Sequence, residues 1–181
     1  MPIPSKPLQL ATFRWKLSGP VGSGAVLPKP YILREAGDQE LEDALRVVQS
    51  SYNLDPEWSG GGKHIDEIII PSVKRTFTRG ANCLFVLHGN RVIAASVFDP
   101  EPPDGIHLIS GPCVFIEYRN RGIGGALLGA TLEALRSRGV TEVRGQTRPG
   151  TPSAKFLCSK FGGESVPPAA PVVAEESAVA A

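Results

Sequence analysis

Two arginines and three glycines crowd one short stretch, Arg119-Asn120-Arg121-Gly122-Ile123-Gly124-Gly125, just ahead of the clearest helical pattern in the chain. A helix start leaves several backbone N–H groups without intrahelical acceptors and carries partial positive charge. Glycines at 122, 124 and 125 let an anion approach that backbone unobstructed. The two guanidiniums add charge and paired donors for phosphate oxygens. Together these predict a phosphate-binding turn. The plainer alternative is a strand-to-helix turn whose glycines serve geometry alone, but the arginines, the helix and the preceding strand all agree on the anion site. No Gly-Lys-Ser/Thr follows, so it is not a Walker loop. It does not follow the first strand of a βαβ unit either, as the dinucleotide fingerprint does.

Few other residue types are spaced for chemistry. Cys83, Cys113 and Cys158 are odd in number and widely separated, and His64, His88 and His107 are scattered. That pattern fits neither a disulfide framework nor a zinc site, so no metal is expected. The formal net charge is +1, and no basic run interleaved with aromatics marks a nucleic-acid surface. No apolar stretch approaches the roughly 20 residues that span a membrane. The opening residues lack the apolar core of a secretion signal. A cytoplasmic protein is expected.

The phosphate turn must be held by the elements around it. The 181 residues, 41% of them hydrophobic, suggest one domain with a packed core. Leu8–Leu17 reads as a strand by its aromatic and alternating content. Tyr31–Glu35 is a short strand. Asp38 is the expected N-cap of a helix running to about Tyr52, with Leu41, Ala44, Leu45 and Val48 at helical spacing. Asp55–Lys63, with Gly60–Gly62, is a loop. A second helix, from about Ile65 to Arg79, is interrupted or kinked at Pro71. Cys83–His88 and Arg91–Phe98 form a hairpin across Gly89-Asn90. Ile106–Ile116 is a strand broken by Gly111-Pro112. The helix from about Gly122 to Arg138 carries the stripe Ile123, Leu127, Ala130 and Ala134, widened by Leu128 and Leu135, and stops at Gly139. A strand at Thr141–Thr147 and a short helix at Pro152–Phe161 follow. The Ala-, Val- and Pro-rich end is either a tail or one weak strand around Val172-Val173. The order predicts a mixed α/β (α+β) fold.

Arg119-Asn-Arg-Gly122-Ile-Gly124 resembles the Arg/Gln-x-x-Gly-x-Gly/Ala motif of the GCN5-related N-acetyltransferases. The flanking Val114, Glu117-Tyr118 and Gly125-Ala-Leu-Leu128 match as well, and the resemblance covers about residues 31–164. It implies a mostly antiparallel central sheet with helices on both faces, in an organisation of an N-terminal extension (1–29), a GNAT-like domain (30–164) and a tail (165–181). It implies acetyl-CoA as acyl donor, with the amides of Asn120, Arg121, Gly122, Ile123, Gly124 and Gly125 holding the pyrophosphate. The strand around Val114 and Ile116 would bind the pantetheine arm. The acceptor would be a small-molecule or peptide amine, which must lose a proton from a pKa near 10 before attack.

By the same resemblance, Cys158 stands where the family often has a thiolate-protonating tyrosine; it is either that donor or a small buried thiol. Thr151 stands at a frequent asparagine position and either keeps a cofactor hydrogen bond or caps the helix at Pro152. His107 and Ser110 lie where family members place a base or a base-linked water. Asp66 and Glu67 border the acceptor groove in the family, and Tyr52 and Trp58 either line a pocket there or pack the loop. The family's last two strands are missing after residue 164, so Leu8–Leu17 or a partner subunit in a homodimer would replace one. A member that binds acyl-CoA without turnover is the alternative.

Overall fold

The computed structural model describes residues 8–19 and 25–167. Its strands are β1 (Ala11–Lys16), β2 (Ile32–Glu35), β3 (Cys83–His88), β4 (Arg91–Val97), β5 (Cys113–Val114), β6 (Glu142–Thr147) and β7 (Glu164–Val166). They form two antiparallel sheets, ordered β2-β3-β4-β5 and β6-β1-β7. Helices α1 (Leu41–Asn53), α2 (Gly62–His64), α3 (Ile70–Thr78) and α4 (Ile123–Ser137) complete the fold. β4 is buried at every position from Val92 to Val97, so both of its faces are covered. α1 and α4 are the helices that pack on it, with α3 against α1. None of the described helices is long and apolar enough to cross a membrane.

The strand predicted at Leu8–Leu17 is central rather than peripheral. β1 lies between β6 and β7, pairing Ala11 with Thr147 at one end and Lys16 with Glu142 at the other. Alternation then sends Phe13, Trp15 and Leu17 into the core. One chain thus supplies the strand whose source the sequence left open between itself and a partner subunit. β7 occupies residues 164–166, where the tail was expected to begin; the weak strand expected near Val172 lies outside the described residues.

The expected strand over Ile106–Ile116 is only partly realised. β5 is two residues long, and Ile116 belongs to a 3₁₀ turn, Ile116–Tyr118. Residues 107–110 instead stitch the two sheets together. The amides of His107 and Leu108 donate to Arg144 O at 2.9 and 3.1 Å, and those of Ile109 and Ser110 to Val97 O. Gly145 makes this seam possible: a Cβ there would lie 2.9 Å from Leu108 Cδ1. Gly111-Pro112 then ends the seam, since proline has no N–H to continue a ladder.

Two helix expectations also shift. Asp38 does not cap α1; the N-cap is Glu40, which makes no side-chain bond to the helix. Its carboxylate turns back to accept from Gly37 N at 2.8 Å and from both Nη atoms of Arg34 at 2.7 Å, tying β2 to α1. Pro71 causes no break. A π-helical turn, Ile65–Ile69, joins α2 to α3, with Pro71 in the first turn of α3. The wider turn takes up the lost hydrogen bond and the ring clash that proline imposes.

The Arg34 fork, and then the Gly37 amide, draw the Glu40 pKa down to about 2. The folded state therefore holds this proton less tightly than the unfolded chain. The stabilisation is whole above the ordinary carboxylate range and is lost as pH falls toward 2. Glu40→Gln should lower stability at pH 6 by about 1 kcal/mol, the scale of a solvent-screened pair, and lose less on acidification to pH 3 than the parent. Urea unfolding at the two pH values checks this.

Candidate active site

The turn that opens α4 is built by two left-handed residues. Asn120 has φ 62° and Gly122, the N-cap, has φ 79°. The first is tolerated by asparagine and the second suits glycine. Gly122 brings no side chain to the helix end, and the first amide to find an intrahelical acceptor is Ala126 N, on Gly122 O at 3.2 Å. The amides of residues 120–125 have no partner among the described residues. Successive N–H groups in this conformation form a concavity that favours an anion. The two later glycines differ in purpose. A Cβ on Gly124 would meet only Val114 Cγ2, at 3.9 Å, whereas one on Gly125 would press on the Phe161 ring at 3.4 Å. Gly124 keeps the approach open; Gly125 serves helix packing.

The arginines do not act as the sequence suggested. Arg119 turns inward: its Nε donates to Val114 O at 3.1 Å, Nη1 to Asp55 Oδ2 at 3.0 Å and Nη2 to Ser51 O at 3.0 Å. The expectation of a side-chain fork on phosphate is corrected for this residue, because the guanidinium is spent on α1, β5 and the turn after α1. Arg121 donates to the Tyr31 hydroxyl at 2.9 Å and to Glu117 O, and lies over the Tyr118 ring. These partners are neutral, so Arg121 keeps its positive charge at the mouth of the turn.

β5 is the edge strand beside this turn. Phe115 N bonds Ile93 O at 3.0 Å, so alternation along the ladder turns the Val114 N–H and C=O away from β4, toward the free edge. The carbonyl is met by Arg119, leaving the N–H available there. Ile116, expected on this strand, is about half exposed in the 3₁₀ turn. Ile123 is fully buried in the first turn of α4, so only its backbone can serve a ligand.

The expected acid–base residues are placed for structure. Cys158 is buried, and burial pushes its thiol up to about 12, which makes it a poor proton donor. Ser110 is fully buried and its Oγ accepts from Val97 N at 3.3 Å. His107 accepts from Arg144 N through Nδ1 at 3.1 Å, so that nitrogen is taken and the proton sits on Nε2; burial also lowers its pKa. Thr151 is buried, accepts from Ala154 N at 3.2 Å and donates to Arg148 O. It caps the π-helical turn Ser153–Cys158, and its hydroxyl is not free for a cofactor. Among the described residues, no group of three or more His, Cys, Asp and Glu could hold a metal ion.

Tyr52 and Trp58, which flank Asp55 in the chain, also line a groove. Tyr52, Trp58, His64 and Ile68 line it from the α1–α3 side, with Asp104 and Ile106 facing them. Tyr52 and Trp58 meet edge to face at 4.7 Å. Asp66 and Glu67 are exposed on the π turn and do not line it. Asp55 and Arg148 went unnoticed in the sequence. Asp55 Oδ1 accepts from Glu57 N at 2.9 Å while Oδ2 holds Arg119, and Arg148 donates to the carbonyls of Glu57 and Ser59. An Asp-Pro start to a turn was the available signal for Asp55; Arg148 left none.

A model of the acetyltransferase (GNAT) family matches residues 47–162, more than half of the chain. No curated protein matches. A GCN5-related N-acetyltransferase from Sphaerobacter thermophilus is similar in structure, with a TM-score of 0.63 at 17% identity, over 89% of this chain and 50% of that one. A GNAT-family acetyltransferase from Colwellia psychrerythraea gives 0.57 at 13%, over 89% and 55%. A tandem GNAT protein from the clavulanic acid biosynthesis pathway gives 0.53 at 17%, over 87% and 50%. The chain spans about half the length of these proteins, and the likeness is one of fold.

Lysine offers a point charge where Arg119 offers a planar fork pointing three ways. Arg119→Lys should therefore cost about 2 kcal/mol of stability although the charge is kept. Denaturant unfolding checks this. A guanidinium acting only as a phosphate charge would be replaced by lysine without loss of stability.

Proposed function

The chain belongs to the acetyltransferase (GNAT) family, and we propose that it moves an acetyl group from acetyl-CoA to an amine by direct attack on the thioester. The observation that carries this is the set of unpartnered amides at residues 120–125, opening α4 beside a β5 edge whose Val114 N–H is also free. A diphosphate suits the first feature: it is doubly charged, and the amides sit at the positive end of a helix with Arg121 beside them. An acyl carbonyl suits the second. As the amine nitrogen bonds to the carbonyl carbon, negative charge gathers on the carbonyl oxygen, and the Val114 N–H can donate to it. The C–S bond then breaks, the thiolate leaves, and the one surplus proton on nitrogen passes to solvent or to the thiolate, giving the amide and free thiol.

This reading assigns the chain's own residues mainly to positioning, which by itself lowers a barrier substantially. Cys158, Ser110 and His107 are not assigned proton transfer, for the reasons of burial and hydrogen bonding given above. That same observation favours a second reading, binding of acyl-CoA without turnover. Thiol release from acetyl-CoA in the presence of an amine panel separates the two: turnover supports the transferase, and binding without release supports the module.

Gly124→Glu should abolish acetyl-CoA binding while leaving the fold intact. A side chain there has room, but its carboxylate would stand in the anion's place. Thermal unfolding with and without acetyl-CoA reads both properties. An unchanged ligand-induced rise in Tm would overturn the pyrophosphate assignment.

A further inference from the structure

The groove lined by Tyr52 and Trp58 has a composition that selects among amines. We infer that it binds a singly charged primary amine carried on a flat aromatic body, a phenylethylamine-like acceptor, with the ring among Tyr52, Trp58, His64 and Ile68 and the ammonium group drawn by Asp104. This deepens, and rests on, the transferase reading.

Three observations carry it. First, the walls are aromatic and aliphatic: the Trp58 and His64 rings lie within 17° of parallel with centroids 6.5 Å apart, Tyr52 meets Trp58 edge-on, and Ile68 is an exposed apolar side chain. Exposed apolar surface rimmed by polar groups marks a binding groove. Second, Asp104 is the only carboxylate among the lining residues, and no lysine or arginine lines it. Asp104 Oδ1 accepts from Ile106 N at 3.0 Å, which orients the carboxylate. Burial keeps His64 toward its neutral form, so it does not cancel that charge. One carboxylate suits one ammonium group and offers little to a polycation. Third, one side chain, Tyr52, joins the groove to the strand that carries Val114. The Tyr52 hydroxyl lies beside the Cys113 thiol of β5, one residue from Val114, while the Tyr52 ring lines the groove.

The Trp58 wall is also held by the donor side, through Asp55 between Glu57 N and Arg119. The ring platform and the phosphate turn therefore share an anchor.

The test compares phenylethylamine, hexylamine, spermidine and a peptide with a free N-terminus as acceptors, by thiol release from acetyl-CoA. Phenylethylamine should give at least a tenfold higher kcat/KM than spermidine or the peptide, and exceed hexylamine. Trp58→Ala and Asp104→Asn should each raise its KM about tenfold, a typical loss for an aromatic or charge contact, with the KM for acetyl-CoA unchanged in Asp104→Asn. Equal or better turnover of spermidine or the peptide, or no KM change in either variant, overturns the inference. Tryptophan fluorescence titrated with phenylethylamine, with and without CoA, gives a readout independent of turnover. Saturable quenching that vanishes in Trp58→Ala supports the groove assignment even if no acetyl transfer occurs, in which case the transferase reading alone falls. No saturable quenching, with acetyl-CoA still raising Tm, overturns the groove assignment alone.

Discussion

A single guanidinium holds three parts of this molecule in register. Arg119 sits on the turn that opens α4, yet its donors go to the last turn of α1, to the carboxylate that follows α1 and to the carbonyl of β5. Each contact fixes something different. The Val114 carbonyl sets the distance between the turn and β5. The Ser51 carbonyl sets the height of the turn against α1. Asp55 neutralises the charge and passes the constraint to the Trp58 turn. Partial burial strengthens these bonds and makes loss of any partner costly. For the proposed transfer, precise placement of the reacting groups is the main thing these residues can supply, because the cysteine, serine and histidine candidates are committed elsewhere.

The backbone, more than the side chains, presents itself to the ligand. Asn120 and Gly122 bend the chain so that successive amides face one way, and the ladder on β4 turns the Val114 N–H outward. Such groups carry fixed partial charges that need no reorganisation when a reaction begins. They also do not titrate.

Local signals explain which parts were legible in the sequence. The glycine spacing at 122 and 124, the helical stripe of Ile123, Leu127, Leu128 and Leu135, and the Gly89-Asn90 hairpin all report conditions set within a few residues. The N-terminal strand was legible as a strand but not by its neighbours, since alternation gives a face and no partner. What failed was decided by distant contacts. The inward turn of Arg119 depends on Asp55, 64 positions away. The seam at 107–110 depends on a missing Cβ at Gly145. The capping role of Thr151 was one of two readings its position allowed, and only the Ala154 amide decides it. Cys158 aligned with a functional position but lies where burial silences a thiol.

β1 joins two remote parts of the chain. Thr12 and Gln146, 134 positions apart, meet across β1 and β6, and β7 completes the same sheet. Bringing such remote segments together carries a large entropic toll and slows assembly. During synthesis β1 must wait unpaired until β6 has emerged. The half of the molecule bearing α1, β3 and β4 can consolidate meanwhile, but the wall formed by Leu10 and Gln146 is among the last things to exist. Nascent chains would therefore form the turn that opens α4 before the groove beside Trp58 has its last wall.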